Sequence, residues 1–340
     1  PVSPHLKWEK TEQYDLGLDM DMFNYRVNVK LDYYYKYTSS LFYRVPVPSS
    51  LYIRDYRYEN ALAVSNEGIE LELQADVLRD KALSWRMRFN VARNWNRLEK
   101  TYNKEDVGGV LGRPLYGMYV SKNNGFFESE DDVPRYYQSN GEWVFLGGGS
   151  TANGVSGMLG DYNLSDLNGD NYAGDLYFAG SPLPLAHGGW VNELRWKNFD
   201  LNVLVNFSLG RKMINERVGS LSGEGPKFLD YRDIRWWTEP RCDANVPRMG
   251  LSVNTNLDTN IEKVHSLSMK QVTLGYNLPD VWARKAGLSA VRLFTTVENL
   301  FYLSNYSGEN PEIIDVYSGR DQGKNYPLPR KWTLGLTLNF

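Results

Sequence analysis

From Arg26 to Thr38 the chain reads RVNVKLDYYYKYT. Val27, Val29, Leu31, Tyr33, Tyr35 and Tyr37 fall on one parity, while Arg26, Asn28, Lys30, Asp32, Tyr34 and Lys36 fall on the other. Successive side chains of a β-strand point to opposite faces, so this run predicts a strand with one apolar face and one wet face. The rhythm recurs along the chain. Tyr14, Leu16, Leu18, Met20 and Met22 alternate with Asp15, Gly17, Asp19 and Asp21. Ile69, Leu71, Leu73, Ala75 and Val77 alternate with Glu70, Glu72, Gln74 and Asp76, and Trp85, Met87, Phe89 and Val91 with Arg86, Arg88, Asn90 and Ala92. Phe199, Leu201, Val203, Val205, Phe207 and Leu209 are separated by Asp200, Asn202, Asn206 and Ser208, with Leu204 a single lapse. Trp332, Leu334, Leu336, Leu338 and Phe340 close the chain, spaced by Thr333, Gly335, Thr337 and Asn339.

These runs are longer than the roughly five or six residues usual in soluble sandwiches. A tilted strand of about 9 to 11 residues crosses a bilayer core. The wet parity is too rich in Asp, Glu, Arg, Lys and Asn for a dry interior, because unpaired buried charge is costly. An all-β transmembrane antiparallel barrel, apolar outside and wet inside, satisfies both faces. No stretch of 18 apolar residues occurs in the sequence, so no transmembrane helix is predicted. The mean hydropathy of −0.50 does not oppose a barrel, whose alternation averages to polar. Tight links are expected at Phe23-Asn24, Arg79 to Ala82 and Asn198, and long polar connections at Val45 to Asn66, Glu99 to Leu185 and Lys212 to Val264. Short strands are expected near Arg113 to Phe127 and Trp143 to Phe145, and the whole makes about ten strands.

Composition narrows the function. The 340 residues carry a formal charge of −3, which offers no basic field for nucleic acid. Cys242 is the single cysteine, so disulfide frameworks and CxxC sites are absent, and no neighbouring Cys/His pattern makes it a nucleophile. The first residues, PVSPHLKWEK, lack the regions of a signal peptide, so the chain is expected either to remain unexported or to lack its true beginning.

Several segments, in order, resemble the SusC/RagA-like TonB-dependent transporters of Bacteroidota outer membranes. They are SPHLKWEKTEQYDLGLD (Ser3 to Asp19) followed by DYYYKYTSSLF and VPVPSS, then GIELEL (Gly68 to Leu73), DLNGD (Asp166 to Asp170) and KNFDLNVLVNFSLG (Lys197 to Gly210). VTLGYNLP (Val272 to Pro279), VENLFYLSNYSGENPE (Val297 to Glu312) and NYPLPRKWTLGLTLNF (Asn325 to Phe340) complete the series. The resemblance covers the family's C-terminal third. It implies that residues 1–340 form about the last ten strands of a 22-stranded barrel, with the N-terminal extension, TonB box, plug and early strands lying outside this sequence. It also implies uptake of an oligosaccharide or oligopeptide across the outer membrane beneath a SusD-like surface lipoprotein, driven by TonB through the missing part. A homodimer of transporter–lid pairs belongs to the same expectation, as does an outer-membrane lipid environment. The competing reading is a non-transporting surface protein that binds glycan or serves a structural role.

The resemblance places ligand or lid contacts in the long outer loops, where aromatic rings offer a flat apolar face and a polar edge. Tyr116, Tyr119, Phe126, Phe127, Tyr136, Tyr137, Trp143, Trp236 and Trp237 are the candidates; loop packing or anchoring at the membrane boundary would place them equally well. No cofactor or metal is implied. Asp166-Leu167-Asn168-Gly169-Asp170 begins like a calcium loop, yet Asn171 and Tyr177 stand where an EF-hand needs Gly and Glu, and an Asn-Gly turn accounts for it. Glu70 and Glu72 share a strand face as a hydrolase pair could, but they belong to a general run of wet-face acids. His5, His187 and His265 have no metal or triad spacing, and Gly147 to Gly149 lead to Ser150-Thr151, not to the Lys of a phosphate loop. The acids Glu128, Glu130, Asp131 and Asp132 read as a solvated loop face. No catalytic constellation exists, and the expected protein is not an enzyme.

Overall fold

A computed structural model describes residues 6–47, 56–79, 82–102, 110–133, 135–137, 143–145, 159–169, 174–217, 234–251, 253–285 and 287–340. His5, the Gly147 to Gly149 run and Asp170 lie outside them. The first four strands are β1 (Lys10–Met22), β2 (Val27–Pro46), β3 (Tyr56–Leu78) and β4 (Leu83–Lys100). Six short strands follow in one long connection: β5 (Met118–Ser121), β6 (Asn123–Phe126), β7 (Arg135–Tyr137), β8 (Trp143–Phe145), β9 (Tyr162–Leu164) and β10 (Leu176–Gly180). Then come β11 (Ala186–Trp196), β12 (Phe199–Asn215), β13 (Ile261–Asn277), the short helix α1 (Asp280–Lys285), β14 (Ala290–Ser304), β15 (Arg320–Asp321) and β16 (Lys331–Asn339).

Nine strands pair in the order β1-β2-β3-β4-β11-β12-β13-β14-β16, and β15 adds beside β12 as a tenth. Every neighbour along the nine is antiparallel, so the connections alternate between two ends of the sheet. At one end the links are short, save the β13–β14 link, which carries α1. Phe23, Asn24 and Tyr25 all take left-handed backbone angles (φ 54, 55 and 59), and Lys197 (φ 52) begins the two-residue turn before β12. At the other end lie the long connections after β4, β12 and β14. The expected open connection from Val45 to Asn66 is corrected: β2 continues to Pro46 and β3 already starts at Tyr56. Register shifts between Thr38, Leu41 and Phe42, with Ser40 at φ 57, break the parity there. The alternation stops where the strand does not.

The predicted faces are those of the sheet. Leu16, Leu18, Leu31, Ile69, Trp190, Leu274, Leu293, Leu334 and Leu336 are exposed on the apolar face. An apolar row left uncovered on a single sheet is what a lipid-facing wall presents. Trp196, Phe199 and Tyr276 stack edge by edge where this band meets the short turns, with ring centroids 6.4 and 4.8 Å apart. Aromatic rings at such a border are what a girdle at a membrane interface presents. On the opposite face two rings lie over glycines. A Cβ at Gly68 would meet the Tyr34 ring at 2.5 Å, and one at Gly335 would meet the Phe294 ring at 2.1 Å.

The core sits elsewhere. β1 is exposed along its whole length, whereas Val45, Val120, Met213, Ile214, Val246, Leu257 and Val264 are fully buried at the long-loop end. The outer connections therefore pack against each other and against the protruding strand ends.

Candidate functional site

The wet face is built from charges that answer one another across the strands. Lys30 stands directly between Asp19 on β1 and Glu72 on β3. Asn28 donates to Asp21 at 2.8 Å, Arg86 to Asp76 at 2.6 Å, and Arg88 pairs with Glu193. Near the short turns Arg292 donates to Asp200 at 3.1 Å. Such pairs lower the cost of holding charge beside a low-dielectric wall, and fix side chains that would otherwise wander. Glu70 and Glu72 belong to this network of wet-face charges, two acids among many.

Above the wall, Arg211 near the outer end of β12 is the hub. It is buried and donates to the carbonyls of Pro182, Pro311, Ile314 and Asp315 at 2.5 to 3.1 Å. The connection leading into β11 is thereby tied to the connection between β14 and β16. Around it, Lys270 reaches Glu312 at 2.7 Å, Arg320 pairs with Glu216 and donates to Asn256 at 2.8 Å, and Tyr306 donates to Asp321 at 2.8 Å. Burial beside that carboxylate pushes the Tyr306 phenol far up, so the hydroxyl stays a neutral donor. Tyr177 donates to Asp258 at 3.1 Å, the same carboxylate that accepts the Asn123 amide at 3.0 Å, which links the connection after β4 to the connection after β12. Met213, Val264, Tyr306 and Ile314 form one apolar cluster under these bonds, and Met118, Val120 and Ile214 a second.

The segment Pro311–Tyr317 thus hangs over the wet face and roofs a cavity of about 1070 Å³. Its floor is β4, β11, β12 and β13, with Asn90, His187, Asn206, Ser208 and Ser266 facing the space. Gly189, in the middle of this floor, donates its amide to Asn90 at 2.6 Å. Tyr317 lines the mouth, and its ring lies 4.7 Å from that of Tyr116.

The aromatic candidates divide. Tyr116 is exposed and stands at this mouth, paired with a residue outside the candidate set. Tyr119 is half-buried against Phe178 at 5.7 Å, and Phe126 against Tyr162 at 5.4 Å, where burial pushes the Tyr162 phenol up to about 12. Phe127 and Trp237 are 2% and 6% exposed, which places them in the packing of the loops. Trp236 is half-buried and forms a bridge to Val246. Tyr136, Tyr137 and Trp143 lie on the paired strands β7 and β8, Tyr137 opposite Trp143. Tyr317, His187 and Asn206 were not singled out as cavity residues by sequence. Only the strand register, which puts His187 opposite Ser208 and Gly189 opposite Asn206, could have grouped the last two.

In the Asp166 loop the carboxylate of Asp166 accepts the Gly169 amide at 2.7 Å, and Asp175 accepts the Leu167 amide at 2.7 Å. These are the bonds of an Asn-Gly turn. Among the described residues no group of three His, Cys, Asp or Glu is arranged to hold a metal.

Comparison with known proteins agrees with this architecture. The family described as TonB dependent receptor-like, beta-barrel, matches residues 2–181. TonB-dependent receptor P3 of Formosa agariphila is 27% identical over 355 residues, covering 100% of this chain and 35% of the relative. TonB-dependent receptor SusC of Bacteroides thetaiotaomicron is 26% identical over 341 residues, covering 99% and 32%. The solved structure of the RagAB peptide transporter superposes with a TM-score of 0.73 at 21% identity, covering 99% of this chain and 36% of that one. The chain spans about a third of the length of the curated relatives it matches. These relatives are receptors by name, not enzymes.

Proposed function

The chain belongs to the TonB dependent receptor-like β-barrel family, and on that premise we propose that it forms part of the wall and the outer loops of a SusC-like importer. The importer takes up oligosaccharides or oligopeptides across the outer membrane beneath a SusD-like lipoprotein lid. One observation carries this reading: nine antiparallel strands with an exposed apolar belt on one face and a charge-matched polar face on the other. A soluble binding module would have to cover that belt. Relatives named TonB-dependent receptor support the energy coupling, and the likeness to SusC and to the RagAB peptide transporter supports the lid and the substrate range.

Among the described residues, β1 pairs only with β2 and β16 only with β14. Bare strand edges are not tolerated in hydrocarbon. The sheet is therefore proposed as one arc of a larger barrel, closed by strands outside this sheet and filled by a plug that TonB engages. Homodimerisation of the transporter–lid pair belongs to the same proposal. Removing most of the 216–260 connection should abolish both lid co-purification and uptake, while the barrel keeps its heat-dependent gel mobility. A deletion that retains the lid and full uptake would contradict the assignment.

A further inference from the structure

The cavity under Pro311–Tyr317 has a chemical bias. Four ionic residues line it, Glu72, Arg88, Arg211 and Glu312, two acids and two bases, so their formal charges cancel. Both bases and one of the acids are already answered from within the protein. Arg88 is held by Glu193, Arg211 by four carbonyls and Glu312 by Lys270, while exposed Glu72 stands opposite Lys30 in the β2–β3 register without a side-chain bond to it among the described residues. Apart from Glu72, what remains for a ligand is amides, hydroxyls and one imidazole. The amides of Asn90 and Asn206, the imidazole of His187 and the hydroxyls of the cross-strand pair Ser208 and Ser266 all face the space. At the centre of the floor Gly189 presents no side chain, between the amides of Asn90 and Asn206. At the mouth, Tyr317 and Tyr116 are 57% and 41% exposed and form a tilted aromatic pair.

An anionic ligand group entering this space would lose water and find no free cation, which disfavours its entry. A hydroxyl is different: it both donates and accepts, and amide and hydroxyl side chains do the same. An aromatic face at the entrance suits a ring with an apolar side and polar edges. Resting on the importer reading, we infer that the cavity takes an uncharged oligosaccharide segment and discriminates against acidic glycans and against peptides, whose carboxylate end finds no free cation there. Tyr317 and Tyr116 are the stacking platform, and Asn90, Asn206, Ser208 and Ser266 bind the hydroxyls.

The test uses the intact transporter with its lid, purified in detergent, and the same protein in cells. Three probe sets are titrated calorimetrically and offered for uptake: neutral hexasaccharides from starch, mannan, xylan and β-glucan; hexameric oligogalacturonate; and a tryptic peptide mixture. At least one neutral hexasaccharide should bind and enter. Tyr317→Ala and Asn206→Asp should each weaken that binding at least tenfold, with unchanged heat-dependent gel mobility showing that the barrel is folded. Binding by peptide or oligogalacturonate alone, with uptake intact, would overturn the inference and leave the importer standing. Neutral binding indifferent to both variants would overturn the assigned cavity. Uptake of no probe depending on the protein would remove the importer reading, and the inference with it.

Discussion

Leu31 and Lys30 are neighbours in sequence and opposites in environment. Leu31 lies between Leu18 and Leu71 on the apolar face, while Lys30 lies between Asp19 and Glu72 on the wet one. Leu31→Arg should therefore destabilise the assembled barrel by about 2 to 4 kcal/mol if it sits near the bilayer midplane, whereas Lys30→Gln should assemble normally. The folded fraction in outer membranes, read by heat-dependent gel mobility, separates the two. This much was legible in the sequence, because a strand's parity needs no knowledge of its neighbours. Higher on the same strand Tyr35 sits beside Glu67 on β3, which in turn sits beside Trp95 on β4, where the apolar parity turns polar. The loop aromatics were not legible to the same depth. Phe127 and Trp237 look like Tyr116 in a sequence, and only long-range packing sends the first two inside and leaves the third at the cavity mouth.

Among the elements, the wall and its outer connections obey different rules. A barrel strand is one layer thick, so its apolar residues find lipid and its core is thin. The connections carry the buried side chains. Their organisation has no period to read, because it depends on contacts such as Arg211 to Pro311 and Ile314, about a hundred residues apart in the chain. Bulges hid the upper parts of β2 and β3 for a related reason: each register shift exchanges the two faces of a strand, and alternation fails at the place where pairing continues. Arg211→Met should remove the guanidinium that donates to four loop carbonyls. Each charge-assisted bond contributes about 1.5 to 3 kcal/mol. The 311–320 segment should then be cut by external protease on intact cells under conditions where the parent resists, while the wall below stays folded. Arg211→Lys, with one ammonium in place of a planar fork, should fall between them. Equal protease resistance in all three proteins would show that Arg211 does not hold the loops.

For the molecule as a whole, the account rests on one division of space: lipid outside the sheet, water and ligand inside it, long loops on the outer surface. The family match and the superposition on a peptide transporter agree on the barrel. The assignment of inside and outside comes from residue chemistry. It can be measured directly, because these 340 residues hold one cysteine, Cys242. In a background of the complete transporter from which Cys242 and any other cysteine have been removed, successive single cysteines from Val27 to Tyr35 would be reacted with a water-soluble maleimide and with a lipid-soluble one in native outer membranes. The account predicts strict alternation, with cysteines at Asn28, Lys30 and Asp32 taking the water-soluble reagent and those at Val29, Leu31 and Tyr33 taking the lipid-soluble one. Uniform labelling along β2, or the opposite alternation, would contradict it.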